Sequence, residues 1–490
     1  MHQVILSLLL LLGFQICQDS PSGSAEAFEA TAVTGKSAPP NVLFIAVDDL
    51  RPQLACYGQT QMHTPNFDAL SKRSVLFERA YCMVPTCGAS RASLMTGIRP
   101  SPGRFVSYTA RADRETPDAI TLNTVFKRSG YKTISLGKVF HFVDDNAAGW
   151  SETPWRSKLD DYHDAALQES AIAEHRVKYP NRKKVRGMPY ESVDAPDDQY
   201  RDHETATKAI EYLQRFSQSD QPFFLAVGFN KPHLPFCAPK RYWDLYKTNE
   251  IDLPRNDAAP IGAPEGAVHA SGELRAYSTI PPSGPVSTET ARSLIHGYYA
   301  CVSFVDAQLG RIINHLDQSG LSENTIVVLW GDHGWQLGEH GMWNKHSCFE
   351  TSMHSPLMIS APGFTGGRRC ASLTEFIDIY PTLCDLTGIG IPDQVQGVTL
   401  RPWLEDPAHE GKSQAIGRFQ SGDTIRSDRY RYTEYRGRGG RGPLTGRMLY
   451  DHVADPEENT NRSGLFELQA EESRLRLWLT NEKGSDVSSD

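Results

Sequence analysis

The residues of this chain best suited to chemistry are one cysteine and a set of acids, lysines and histidines that follow apolar runs. The cysteine opens the segment Cys87-Gly88-Ala89-Ser90-Arg91, which continues as Ala92-Ser93-Leu94-Met95-Thr96-Gly97. This stretch of small residues reads as the first turns of a helix with Cys87 at its start. The N–H groups and dipole of a helix N-terminus favour an anion, so they are expected to lower the thiol pKa and to hold a sulfate or phosphate. Arg91, four residues on, returns to the same helix face. On its own a cysteine among small residues is ordinary core packing or half a disulfide; its weight comes from four other segments.

The run Asn41–Val47 is almost continuously apolar and β-branched, as in a fully buried strand, and stops at Asp48-Asp49. Thr325–Trp330 does the same and stops at Gly331-Asp332-His333-Gly334. Tyr131–Leu136 delivers Gly137-Lys138 and then His141, and Pro222–Phe229 delivers Lys231 and His233. In open parallel sheets with helices on both faces, ligands sit beyond the carboxyl ends of the strands. Four strands that end in acids, lysines or histidines therefore predict one shared site at one sheet edge.

Residue type narrows the chemistry. Asp48, Asp49 and Asp332 offer hard oxygens suited to Ca²⁺ or Mg²⁺, while His333 adds an imidazole that leaves Mn²⁺ or Zn²⁺ open. Lys138, Lys345 and Arg91 supply fixed positive charge. A divalent cation among basic side chains is what transfer from an oxyanion ester needs, because charge develops on the ester oxygens. The chain has no Gly-rich nucleotide loop, which argues against a kinase or a P-loop ATPase.

These segments resemble type I sulfatases of the alkaline phosphatase superfamily, and within them the iduronate-2-sulfatase-like branch. NVLFIAVDDLRPQLACYG (41–58) looks like the opening strand and metal aspartates of that branch. GKVFH (137–141), KPHLPF (231–236) and GDHGWQLGEHGMWNKHS (331–347) are similar to its further active-site blocks, and LYDHVADPEENTN (449–461) to its C-terminal motif. The likeness runs in order over roughly residues 40–465. It implies an alkaline-phosphatase-like α/β fold: a large mixed, mostly parallel sheet flanked by helices, plus a small C-terminal antiparallel sheet with a helix.

The resemblance also implies roles. Cys87 would be oxidised by a formylglycine-generating or other sulfatase-maturing enzyme to formylglycine, whose hydrated aldehyde is the nucleophile. Asp48, Asp49, Asp332 and His333, together with the modified Cys87, would hold one Ca²⁺. Arg91 would steady the hydrated aldehyde and His141 would hydrogen-bond its second hydroxyl. Lys138, His233 and Lys345 would grip the sulfate, with His233 or Lys345 protonating the departing alcohol. The substrate would be the O-sulfate of a sulfated sugar in a poly- or oligosaccharide. The chain departs from the family's usual Cys-x-Pro-x-Arg motif at Ala89. Two alternatives stand beside this reading: a phosphodiester or phosphonate monoester hydrolase of the same superfamily, and a non-catalytic binder of sulfated glycans left inert by Ala89.

At 490 residues, with 39% hydrophobic and 22% charged residues, the composition is that of a large globular α/β chain with a smaller appendage. A net charge of −9 argues against a general nucleic-acid binder and requires positive charge at any anion site to be local. Val4–Phe14 is apolar but short of the roughly 20 residues that span a bilayer, so 1–27 reads as a secretory leader cleaved after Ala27. The expectation is export to a periplasmic or secreted location without stable membrane insertion. Without Cys17 and Cys87, seven of the nine cysteines remain, an odd number that leaves room for one or two disulfides among Cys56, Cys82, Cys237, Cys301, Cys348, Cys370 and Cys384, with no pairing readable.

Residues 28–39 read as a linker, 40–410 as the catalytic domain, 411–483 as a C-terminal subdomain and 484–490 as a frayed tail. Ala206, Ala209, Ile210 and Leu213 mark one amphipathic helix; Leu294, Tyr298, Cys301, Val302, Val305 and Leu309 mark a longer one. Residues 250–290, rich in proline, read as an extended surface loop. Arg426–Tyr435 and Met448–Tyr450 read as antiparallel strands, with a helix near Ser473–Glu482. Two basic clusters, Arg182–Arg186 and Arg436–Arg441, are solvated loops or contacts to anionic groups flanking a scissile ester.

Overall fold

The computed structural model describes residues 38–182 and 184–484. The expected leader, nearly all of the expected linker and the residues after 484 lie outside the described residues. Seven runs form one sheet: β1 (Asn41–Val47), β2 (Val75–Tyr81), β3 (Lys132–Gly137), β4 (Phe223–Phe229), β5 (Thr325–Gly331), β6 (Leu357–Ser360) and β7 (Arg368–Glu375). Their order across the sheet is β7-β2-β6-β5-β1-β4-β3. All pairings are parallel except those of β6, which runs antiparallel to β2 and β5. This is the mixed, mostly parallel α/β sheet expected.

The apolar continuity of β1 follows from burial on both faces. Leu43, Ile45 and Val47 pack into a cluster with Leu294, Tyr298, Val302, Val305 and Leu309 of the 31-residue helix Thr288–Gln318. Val42, Phe44 and Ala46 face the opposite cluster, with Ala92, Leu94 and Met95 of the helix Cys87–Thr96 and Ile379 and Leu383 of the helix Ile379–Thr387. The register then sets the site. Val47 pairs with both Phe229 and Gly331, and Gly137 pairs with Gly228, so four strands end at one level of one edge. Gly228 is required there: a Cβ would run into the backbone of Lys138 as the chain leaves β3.

A second sheet holds β8 (Ala415–Phe419), β9 (Gly422–Arg426), β10 (Tyr430–Arg436) and β11 (Leu444–Asp451), all antiparallel and in sequence order. Leu475 and Leu479 of the helix Gln469–Gly484 pack on Ile425, Tyr432 and Leu449 of this sheet. Its other attachment is ionic. The buried Arg431 pairs with Glu350 of the main sheet's surroundings and lies 3.0 Å from Glu458, while Arg426 reaches Glu350 at 3.3 Å.

The cysteines and the 250–290 segment each differ in part from the reading above. All eight described cysteines are free, and seven are buried. They serve as small apolar residues in separate places, Cys82, Cys370 and Cys384 in one core cluster and Cys301 in the other, so no disulfide forms among them. Residues 250–290 are irregular and mostly exposed or half-exposed, as expected of a surface loop, but Ile251, Ala267, Ser271, Leu274, Tyr277, Ser278 and Ile280 are buried and pin it down. Its few apolar residues lack a period because each anchors an irregular segment at a different point. No helix among the described residues is long and apolar enough to cross a membrane.

The Arg431 cluster generates a stability prediction. Removing one partner of a buried ion group strands the others, at a cost of about 3–5 kcal/mol. Arg431→Met is expected to lower the unfolding free energy, read from denaturant titration, by that amount. Arg474→Met, which breaks the exposed pair with Glu471, is expected to change it by less than about 1 kcal/mol. Equal effects from the two variants would show that the cluster does not hold the small sheet in place.

Candidate active site

The strand pairing runs one residue beyond the strands. Asp48 N–H donates to Phe229 O at 3.2 Å, Asp332 N–H to Val47 O at 3.2 Å, and Lys138 N–H to Gly228 O at 2.8 Å. Asp49 turns away in the left-handed region with φ 59°, and its turn is held by Tyr298 Oη donating to Asp49 O at 2.8 Å. Its own N–H donates to Asp332 Oδ1 at 2.9 Å. Asp48, Asp49, Asp332 and His333 are all fully buried.

Three cations converge on these acids. Arg91, with zero exposure, donates Nε to Asp332 Oδ2 at 2.9 Å, Nη2 to Asp48 Oδ1 at 3.0 Å, and Nη1 to the carbonyls of Val139, at 2.9 Å, and Lys138. Lys138 Nζ pairs with the second oxygen of Asp48. Lys345 Nζ lies 3.0 Å from both oxygens of Asp49 and 4.7 Å over the Trp335 ring. Cys87 opens its helix, as expected, with Sγ 3.8 Å from Asp49 Oδ1 and 3.3 Å from His333 Nε2.

The histidines complete the group. His333 Nδ1 lies 3.0 Å from Gly334 O, which leaves Nε2 facing Asp49 Oδ1 at 3.4 Å and Asp332 Oδ2 at 3.6 Å. His233 places Nδ1 2.6 Å from Leu234 O, and Nε2 3.2 Å from Glu273 Oε1 and 3.8 Å from Asp49 Oδ2. His141 lies at the margin, edge-on to Tyr108, with Nδ1 buried and unpartnered. Lys231 points elsewhere: its Nζ donates to Pro235 O at 2.6 Å and pairs with Asp161 at 3.4 Å, tying down its own loop.

Electrostatics overturns one expectation. Burial, and after it the charge of Asp48, pushes the Cys87 thiol well above its ordinary pKa. The helix N-terminus is present, but burial, with Asp48 and Asp332 after it, outweighs it and the two lysines, so unmodified Cys87 is held as a thiol. Burial opposes the charge on Asp48 too, yet Lys138 and Arg91 hold its pKa well below the usual range. Asp49 is pushed up by burial, which Lys345 and His233 offset only in part, so this carboxylate is the one short of positive charge. Burial disfavours protonated His233, but Asp49 and the bond to Glu273 prevail and raise its pKa.

Glu273 is the functional candidate that the sequence did not reveal. It pairs with His233 and lies 3.1 Å from Lys345 Nζ, yet it belongs to the proline-rich 250–290 segment and follows no strand. Trp335 and His346, the latter beside Lys345, also went unnoticed because both sit inside motifs dominated by stronger signals.

A mixed α/β sheet with acids, lysines and histidines gathered at one edge is the architecture of the sulfatases, whose family model matches residues 40–389. Residues 338–483 match the C-terminal model of N-sulphoglucosamine sulphohydrolase. The chain belongs to the sulfatase family and is a sulfuric ester hydrolase. Human iduronate 2-sulfatase is 33% identical over 399 residues, covering 72% of this chain and 70% of that protein. A sulfatase of Formosa agariphila is 31% identical over 468 residues, covering 90% and 86%. A protein solved in complex with its substrate D-glucosamine-2-N,6-O-disulfate shares the fold, with a TM-score of 0.73 at 20% identity over 92% of this chain and 99% of that one.

Two histidines of the site set a pH dependence. Burial first and Lys138 second push His141 down to about 3; burial and Lys345 do the same to His346. Unfolded, both would titrate near 6.5. Between these values the unfolded chain binds more protons than the folded one, so stability rises with pH there. The penalty is absent above pH 6.5 and grows as the pH falls toward 3. The Tm of the wild type is expected to drop more steeply between pH 6.5 and 4 than that of His141→Gln; parallel curves would show that His141 titrates normally.

Proposed function

We propose that this protein removes an O-sulfate from a sulfated sugar, using formylglycine made from Cys87 and one divalent cation held by Asp48, Asp49, Asp332 and His333. The observation that carries the reading is the environment of Cys87. Its thiol is held protonated, within 3.8 Å of an acid and 3.3 Å of an imidazole, so this position gains a nucleophile only through modification.

The donor set fits a cation. His333 sets Nδ1 3.0 Å from Gly334 O and turns Nε2 to Asp49 Oδ1 and Asp332 Oδ2, at 3.4 and 3.6 Å, so one imidazole nitrogen and two carboxylates face a common point. Three buried carboxylates with one imidazole suit a hard ion such as Ca²⁺. When bound, that ion supplies Lewis acidity to the sulfate oxygens, and hydrated formylglycine supplies the attacking hydroxyl.

The chain's own residues do the rest. Lys138 and Lys345 meet the negative charge that develops on the sulfate oxygens. His233, whose two ring nitrogens both face acceptors, is held protonated and donates from Nε2 to the departing alcohol oxygen. His141, neutral and with a free Nδ1, accepts a hydrogen bond from the second hydroxyl at position 87. Arg91 spends four of its five N–H groups on Asp48, Asp332 and two carbonyls, so it positions the acids and keeps one donor for the residue at position 87.

The human iduronate 2-sulfatase relative supports a sulfated uronic acid as the sugar. The reading includes export through the 1–27 leader, a catalytic domain at 40–410, a C-terminal subdomain at 411–483, and a maturing enzyme that accepts Ala89.

Co-expression with a formylglycine-generating enzyme is expected to lower the mass of the Cys87 tryptic peptide by about 18 Da. Matured protein with Ca²⁺ is expected to release sulfate from sulfated sugars, and Cys87→Ala to lose about a thousandfold or more in kcat. An intact thiol without turnover would replace this reading with the inert binder. An aldehyde that turns over phosphonate monoesters but no sulfate ester would replace it with the phosphorus hydrolase.

A further inference from the structure

We propose that Arg104, Arg418, Arg438 and Arg441, with the exposed ring of Tyr108, form a second anion-binding subsite at the rim of the active site. It takes a sulfate or carboxylate on a neighbouring residue of an anionic oligosaccharide. This inference rests on the reading of the site as one that acts on sulfated sugars.

The first argument is unspent charge in an acidic chain of net charge −9. Arg436, in the same loop as Arg438 and Arg441, is paired with Glu434 at 2.7 Å. Among the described residues no carboxylate lies within ion-pair distance of Arg104, Arg438 or Arg441. The guanidinium of Arg104 reaches only the carbonyl of Arg99, at 3.1 and 3.4 Å. Arg418 pairs with Asp423 through Nε at 3.0 Å, but its Nη1 is buried without a partner.

The second argument is position, fixed by two routes out of the site. Lys345 is followed by His346, whose ring stacks on Phe419 at 5.3 Å. Phe419 follows Arg418, whose backbone N–H donates to Met83 O at 2.8 Å, four residues before Cys87. On the other side, the Tyr108 carbonyl lies so close over Gly88 that a Cβ there would overlap it, and the Tyr108 ring meets His141 edge-on at 5.8 Å. Tyr108 is 58% exposed. The two routes meet, because the Arg441 guanidinium lies against Gly103, and Gly440 against Arg418 and Pro102. The 437–442 loop thus closes over the gap between the two walls.

The third argument is backbone conformation. Arg438, Gly439 and Gly440 are successive left-handed residues, with φ of 53°, 64° and 93°. Arg438 carries a Cβ in that region, a costly state that persists where something else requires it. The turn sets Arg438 and Arg441 on either side of two glycines, with no buried side chain to repay it. Guanidinium forks match sulfate and carboxylate geometry, and a tyrosine ring offers an apolar face to a sugar.

The test compares kcat/KM for a multiply sulfated tetrasaccharide with that for p-nitrophenyl sulfate, which is too short to reach the rim. In the double variant Arg438→Glu, Arg441→Glu the ratio of the two is expected to fall by about tenfold or more, through KM, and the salt dependence of the tetrasaccharide KM to flatten. Both side chains are exposed, so an unchanged Tm is expected to accompany this loss. A ratio and salt slope equal to the wild type would overturn the subsite. If the wild type hydrolyses neither substrate, the reading of the active site fails separately. The Kd for the tetrasaccharide then decides: a tenfold weakening in the double variant upholds the subsite, and an equal Kd removes it.

Discussion

The whole molecule depends on compensating three carboxylates that the sheet drives out of water. Asp48, Asp49 and Asp332 have no exposed surface, and an unpaired buried charge costs several kcal/mol. Their partners arrive from three other places: Arg91 from a helix, Lys138 from the end of β3, and Lys345 from the segment after β5. A one-residue slip of β1 against β4 or β5 would turn each side chain to the other face and leave acids and bases unpaired. Correct strand register and a complete site are therefore one requirement. The glycines at 137 and 228 serve it by letting β3 and β4 approach closely where the lysine leaves the sheet.

The compensation is deliberately uneven. Asp48 has two cations and is held ionised, whereas Asp49 is left short of positive charge. That imbalance is the property a cation site requires, since a fully neutralised cluster gains nothing from binding an ion. Burial, and after it the charge of Asp48, decides the state of Cys87. A helix terminus carries about half a unit charge, and a nearby carboxylate a whole one of opposite effect. Buried among such acids, the thiol keeps its proton.

This explains what was legible in the sequence. Apolar runs that stop at acids, lysines and histidines identified four strands and one edge, because a strand's burial and its end are written locally. The helical start at Cys87 was equally local. The sign of the Cys87 pKa was not, because it is set by burial and by two carboxylates, Asp48 and Asp332, that lie 39 and 245 residues away in the chain. Lys231 and His233, two residues apart, looked alike, yet one turns to its own loop and the other to the site. Glu273 was invisible because nothing in 250–290 repeats; only the fold lays that segment over the catalytic edge. The cysteine count left room for disulfides, while burial in separate clusters keeps the thiols apart.

The small antiparallel sheet shows how an acidic protein can serve an anionic substrate. Its ionic anchor, Arg431 between Glu350 and Glu458, is buried and saturated with carboxylates, so it contributes attachment and no field at the surface. The next turn of the same sheet does the opposite, holding Arg438 and Arg441 without a carboxylate partner among the described residues, beside the loop that carries Tyr108. With a Debye length of about 8 Å at physiological salt, distant charges of the chain are largely screened, so what a bound ligand meets depends on the charges next to it. Arginines without a carboxylate partner would give the proposed rim the local positive charge that an anionic sugar needs in a chain of net charge −9.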